Sequence, residues 1–218
     1  MTAKAAERLD KTDTTGFTHA FCSAVRAYRN GCIPIGCAIL DKDGNVIARG
    51  ENSQYTSESD ERIQNHPLAH AEINAILKVN AYVHDDIHSY TLYSTLESCP
   101  LCFGAIVMGG IKNVKFAAFD KDNEFTNLNK SVDFITKQNI VMTGPFDELQ
   151  IVQIALIVCR RLEQTLGDNE RVFNIYNGYC PEGVRLGIEL KGDARFHRLL
   201  SDEHDENQIL SYILSRLR

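Results

Sequence analysis

The sequence has no apolar run long enough to cross a membrane. Its longest, residues 151–159, is interrupted by Gln153 and falls well short of the roughly 20 residues a spanning helix needs, so no membrane association is expected. The first fifteen residues are polar and charged and lack the apolar core of a secretory signal. An excess of positive charge is also missing: the formal net charge is -6 and the sequence pI about 5.6. Nothing in that balance offers the basic face that nucleic acid recognition calls for, although a local patch can sit inside an acidic total. Nucleic acid is therefore not the favoured partner. Internal repeats and low-complexity segments are absent. The cysteines number seven, so they cannot all pair. With no export signal, the expectation is a cytoplasmic protein with reduced thiols.

What is present is an ordinary globular composition, 44% hydrophobic and 24% charged over 218 residues. That length supports one well-packed α/β domain and leaves too little for a second large core. Residues 17–29 read as a helix, with Phe17, Ala20, Phe21, Ala24 and Val25 on one stripe, Thr14 or Thr15 as cap and Gly31 as stop. Residues 35–40 and 46–48 flank the turn signal Asp41-Lys42-Asp43-Gly44-Asn45 and read as a β-hairpin. The polar stretch 51–67 is long for a connection inside a domain, and such loops are often functional. Helices are expected at 69–79, with Ala69, Ile73, Ile76 and Leu77 inward, at 100–108, at 128–137 and at about 146–166. Strands are expected at 90–96, 114–119 and 140–142. The tail shows no period until 207–217. Alternating strands and helices imply parallel pairing with right-handed crossovers, and the hairpin adds an antiparallel edge. The fold class expected is α/β, a three-layer α/β/α sandwich around a five-stranded mixed sheet.

Two short motifs carry chemistry. Cys99-Pro100-Leu101-Cys102 is the only C-x-x-C pair; Cys22, Cys32, Cys37, Cys159 and Cys180 are scattered. Pro100 suits the first position of a helix, which places Cys99 at the cap and Cys102 one turn up on the same side. The helix dipole there favours the thiolate, the form that binds metal. His70-Ala71-Glu72 opens another helix. One imidazole with two thiolates is a zinc set rather than a calcium or magnesium one, and three protein ligands leave the open position of a catalytic zinc. Glu72 follows His70 by two residues, about 200° around an ideal helix. It reaches the metal-bound water only if His70 sits at an irregular first turn. The plainer readings are a redox C-x-x-C pair, which has no use for H-x-E, and a structural zinc, which needs a fourth protein ligand. His19, His66, His84, His88, His197 and His204 read as packed or surface histidines.

With these residues in place, the chain resembles the cytidine deaminase-like superfamily of zinc-dependent nucleobase and nucleoside deaminases, whose signature is H-x-E with P-C-x-x-C. The segments 65–76 and 92–106 look like the two zinc segments of its guanine deaminase and tRNA adenosine deaminase branch, and the likeness spans roughly residues 17–145. The resemblance implies His70, Cys99 and Cys102 as ligands of one Zn2+ per chain and Glu72 as proton shuttle. It further implies that Asn52 and the backbone N–H of Ala71 bind substrate, and that the chain forms a homodimer whose neighbouring copies help close each pocket. Ser98 stands where the family usually has Pro, and the loop 52–70 is longer than in small relatives. Residues 1–145 are expected to form the deaminase domain and 146–218 a helical extension packed on it.

The function expected is hydrolytic removal, as ammonia, of an exocyclic amine from a free nucleobase or nucleoside. The alternative is an RNA-editing deaminase of a tRNA wobble adenosine, and a third reading is a non-catalytic zinc-binding interaction module, against which Glu72 speaks. Residues 149–158 are apolar almost all round their helix. Such a helix is buried on more than one side, by the sheet and by either the tail or a partner chain.

Overall fold

Helix α1 runs over Lys11–Arg29 in the computed structural model, which describes residues 9–80, 82–122, 130–164, 169–201 and 205–217. It starts two turns earlier than the apolar stripe predicts because Asp10, not a threonine, caps it: the Asp10 side chain accepts from Asp13 N at 2.7 Å. Thr14 and Thr15 instead turn their hydroxyls back onto the carbonyls of Asp10 and Lys11, the helix-compatible use of such side chains. Gly31 follows the helix at φ +80, and Cys32 N–H returns to Ala27 O at 2.8 Å, closing the end as expected.

Five strands form one mixed sheet in the order β2-β1-β3-β4-β5. They are β1 (Gly36–Leu40), β2 (Val46–Glu51), β3 (Thr91–Leu96), β4 (Asn113–Ala118) and β5 (Val141–Thr143). β1 pairs antiparallel with β2 and β3, while β3, β4 and β5 run parallel. This is the expected three-layer architecture, and side-chain alternation sorts its two cores. Ala38, Leu40, Tyr93 and Ala117 face α1 and α5 (Asp147–Glu163). Cys37, Ile39, Leu92 and Val114 face α2 (Ala71–Ile76) and α3 (Pro100–Gly109). The helix expected at 128–137 is one turn, α4 (Asp133–Thr136); Leu128 and Asn129 lie outside the described residues, as do Leu166 and His204. No helix among the described residues is long and apolar enough to cross a membrane.

Helix α2 is six residues long, shorter than predicted. Its inward face is the expected one only in part: Ala69 is buried and Ile76 packs on the core, but Leu77 is 49% exposed and the fully buried positions are Ala71, Glu72, Asn74 and Ala75. The reason is close packing. A Cβ on Gly50 of β2 would stand 2.2 Å from Ala71 O and 2.4 Å from Ala75 N, so the helix backbone rests on the strand and only small residues fit between them. Gly36 serves α1 in the same way: a Cβ there would collide with Ala20 O.

The tail contains more helix than its sequence shows: α6 (Asn169–Tyr179), α7 (Pro181–Lys191), α8 (Ala194–Ser201) and α9 (Glu206–Ser215). Helix α6 buries only Val172 and Tyr176, and α8 only Phe196, too few apolar positions to print a period. Helix α7 covers the second side of α5, with Gly183 and Gly187 set so close that a Cβ would lie 2.8 Å from Ile154 Cβ and 2.7 Å from Ala155 O. The tail of the same chain, rather than a partner, therefore buries the apolar α5. Overpacking a tight contact typically costs about 1–3 kcal/mol, so Gly50→Ala is expected to lower the denaturation midpoint by a loss of that size. An unchanged midpoint would show that α2 does not need this contact.

Candidate metal and active site

Two helix N-termini meet at the carboxyl end of β3. Cys99 is the N-cap of α3, in extended conformation with Pro100 at the first helical position, as its sequence predicts. His70 is the N-cap of α2, also extended, at φ -81 and ψ 152. It therefore lies outside the helix, which resolves the conflict of direction with Glu72. His70 Nδ1 stands 3.5 Å from Cys99 Sγ and 3.4 Å from Cys102 Sγ, and the three donor atoms lie within 4.8 Å of one another. Ligands about one tetrahedral ion, with bonds of about 2.0–2.3 Å, are spaced roughly 3.6 Å apart. The donor set and its spacing thus fit zinc, and the His/Cys/Cys cluster is a candidate metal site with three donor atoms.

The surroundings tune these groups. A hydrogen bond from the Cys102 thiol holds Cys99 well down, at about 4, against the opposing effect of burial and with help from His70. Cys102, donating to Cys99 and buried beside Glu72, is pushed up. His70 is raised by its hydrogen bond with Cys99, although burial opposes this, and the Pro67 carbonyl accepts from its ring. Such an outer partner fixes the ring of a metal ligand. Burial raises the Glu72 carboxyl, and the Cys99 charge adds to this. Glu72 Oε1 accepts from Ser94 Oγ at 3.1 Å, and Oε2 lies 3.2 Å from Cys102 Sγ, where it competes with Cys99 for the one thiol proton.

A cavity of about 500 Å³ opens over this cluster, lined by Asn52, His70, Glu72, Glu97, Cys99 and Asp120 among others. Asn52 follows β2 directly and is 1% exposed. Gln54 orients it: Asn52 Nδ2 donates to Gln54 Oε1 at 3.0 Å, and Gln54 N–H donates to Asn52 Oδ1 at 3.3 Å. Gln54 Nε2 reaches the Pro67 carbonyl at 2.8 Å, which ties Asn52 to the segment that leads into His70. Ala71 opens α2, so its N–H is one of the terminal donors with no intrahelical acceptor. Of the six sequence-predicted site residues, Asn52, His70, Glu72, Cys99 and Cys102 line this one cavity, while the side chain of Ala71, between His70 and Glu72, packs into the core.

Sequence reasoning missed Gln54, Ser94, Glu97 and Asp120, and it missed Asn74. Ser94 was visible only as a polar residue inside a strand of β-formers. Asn74 organises the long loop: its Nδ2 donates to Glu51 O, Ser53 Oγ and Ile63 O, and its Oδ1 accepts from Ile63 N–H. Ser98, the residue in place of the family's Pro, is buried.

Residues 10–118 match the model of the cytidine and deoxycytidylate deaminase zinc-binding region. The chain is similar to guanine deaminase of Bacillus subtilis, with 41% identity over 138 residues, 61% of this chain and 80% of that one. It is similar to cytosine deaminase of Candida albicans, with 32% identity over 139 residues, 57% and 87% of the two chains. It is also similar to a tRNA-specific adenosine deaminase of Bacillus subtilis, with 37% identity over 102 residues, 46% and 58% of the two. A solved structure in complex with 2,6-diaminopurine shares the fold at a TM-score of 0.52 and 23% identity, covering 73% of this chain and 86% of that one.

A buried group left without its hydrogen-bond partner costs about 1–3 kcal/mol, and Asn74→Ala takes the side-chain partner from the Ile63 N–H and the Glu51 carbonyl, while Ser53 Oγ and Ile63 O still bond each other at 2.7 Å. Loss of stability at or above that range is expected, together with faster proteolysis between residues 53 and 66. Wild-type resistance to both heat and protease would remove Asn74 as the loop's anchor.

Proposed function

Because the chain belongs to the cytidine and deoxycytidylate deaminase zinc-binding family, we propose that it is a zinc-dependent hydrolytic deaminase of a free nucleobase or nucleoside. In this reading His70, Cys99 and Cys102 hold one zinc per chain, and the metal when bound supplies a water that is nucleophilic at neutral pH. Glu72 moves the protons. It takes one from the attacking water and gives it to a ring nitrogen; it then takes the second from the hydroxyl now on the ring carbon and passes it to the exocyclic amine, so that the C–N bond breaks, ammonia leaves and the carbonyl forms. Its burial and raised carboxyl suit a group that must hold and release a proton. Asn52 and the Ala71 N–H orient the ring. Residues 1–145 carry this chemistry, and 146–218 are the extension that completes the core behind it.

The observation that carries the choice of a small neutral substrate is the charge of the cavity. Its described lining includes the carboxylates Glu72, Glu97 and Asp120 and no lysine or arginine. A phosphate entering such a site meets like charge at short range. The tRNA-editing reading, which one group of relatives favours, instead requires binding that weakens steeply with salt.

The test is ammonia release across bases, nucleosides and a tRNA stem-loop, with metal analysis of the same preparation. Glu72→Gln is expected to keep one zinc and the fold while losing at least about 10²-fold in turnover. Near-normal activity in that variant, or activity without metal, would sink the mechanism. Turnover confined to the stem-loop would transfer the site to RNA.

A second copy of the chain is the partner proposed for α3. That helix has no charged residue, and it exposes Leu101, Gly104 and Met108 on one face, with Leu101 and Leu68 at the cavity mouth. A homodimer docked there would narrow the mouth. Sedimentation is expected to show a dimer that Met108→Glu weakens; a wild-type monomer at high concentration rules it out.

A further inference from the structure

Helix α6 lies behind the corner where β4 leaves the sheet, and that corner is part of the pocket wall. β4 ends at Ala118. The chain then turns through residues 119–122, where Asp120 is 6% exposed and lines the same cavity as Asn52, His70 and Glu72. Within the corner, Asp120 N–H donates to Glu97 Oε2 at 3.3 Å and Asp122 N–H donates to Asp120 Oδ1 at 3.2 Å.

Helix α6 grips this corner on both sides of Asp120. The Tyr179 hydroxyl donates to the Phe119 carbonyl at 2.8 Å. The Arg171 guanidinium meets both carboxylate oxygens of Asp122, at 2.5 and 3.0 Å. Tyr176 is buried against Leu96 and Ala118, the last residues of β3 and β4, with its ring edge-on to Tyr179 at 6.0 Å. All of α6 lies beyond residues 10–118, the stretch that the family model matches.

We propose that α6 is a positioning element of the substrate pocket: through Tyr179 and Arg171 it holds the 119–122 corner so that the Asp120 carboxylate selects the substrate. The inference rests on the deaminase reading above. An ionised carboxylate only accepts hydrogen bonds, and it has room for several. It therefore favours a neutral heterocycle that carries an N–H besides the amine that leaves. A displacement of the wall by about 1 Å is enough to spoil such a contact.

The experiment compares Tyr179→Phe, Arg171→Ala and Asp120→Asn with the wild type. Arg216→Ala is the control, since its exposed pair with Glu189 lies outside the corner. Guanine, adenine, cytosine and their nucleosides are the probes, with zinc content and melting temperature measured on every variant. Tyr179→Phe and Arg171→Ala are expected to raise KM about threefold or more with kcat held within about twofold, zinc retained, and Asp120→Asn to change the order of preference among the bases. Arg216→Ala should leave KM where it is. A merely structural role would lower the melting temperature and the active fraction while leaving KM and the preference order intact, and that result overturns the inference with the deaminase reading standing. If the wild type turns over none of the probes, the deaminase reading fails. Calorimetry of the same bases with zinc-loaded Glu72→Gln then decides the inference separately: weaker binding when Tyr179→Phe is added supports it, and equal or no binding overturns it.

Discussion

The contact on which the site depends is backbone against backbone, at Gly50 of β2 and the start of α2. With no side chain on Gly50, the carbonyl of Ala71 and the N–H of Ala75 sit directly on the strand. This fixes the height of the helix above the sheet. His70, one residue before the helix, and Glu72, in its first turn, are placed by that height. The same strand runs on into Asn52. A single close approach therefore sets three of the site's side chains relative to one another, and the second helix supplies the two sulfurs from the carboxyl end of β3. Ligand sites in open α/β sheets gather at the carboxyl ends of the strands, and here both helix N-termini point there.

Polar groups rather than apolar ones then secure the arrangement. Glu72, Asn74, Glu97 and Ser94 are all nearly inaccessible, and burial of this kind is tolerated only where partners are supplied. Glu72 shares its oxygens between Ser94 and Cys102, and Asn74 holds the long loop against β2. The loop could not be shortened without losing Ile63 and Ser53 as partners of Asn74, and with them the wall that carries Asn52 and Gln54. The length that marked residues 51–67 as unusual is the span needed to reach from β2 out to Ile63 and back to His70.

Much of this was legible in the sequence. The five strands, their order of type and the motif on each helix start followed from alternation, from Pro100 and from the spacing of His70, Glu72, Cys99 and Cys102. What escaped notice shares a physical cause. Helix α2 rests alanines on Gly50, where no larger residue fits, so its apolar stripe marks the buried face only in part: Ala69 and Ile76 pack inward, and Leu77 is exposed. Asp10 outcompeted the threonines as cap because its carboxylate reaches Asp13 N–H while their hydroxyls bond backwards along the helix. Helices α6 and α8 carry one or two buried residues each, and no period can be read from so few. Ser94, Glu97 and Asp120 act through positions that only the folded sheet brings together.

The tail shows why the site cannot be understood from the shared zinc segments alone. Helix α5 is apolar nearly all round, and a surface of that kind demands cover on two sides. Helix α7 provides it through Gly183 and Gly187, and the chain that leads to α7 must first cross the carboxyl ends of β3 and β4 as α6. The requirement to bury α5 thus brings Tyr176 and Tyr179 against Leu96 and the Phe119 carbonyl, beside the very corner that closes the cavity. A packing need at the back of the sheet and a boundary of the pocket at its end are met by the same stretch of helix. Relatives that end differently after β5 would have to form that boundary by other means, so the metal chemistry and the choice of substrate are free to diverge on separate parts of one fold.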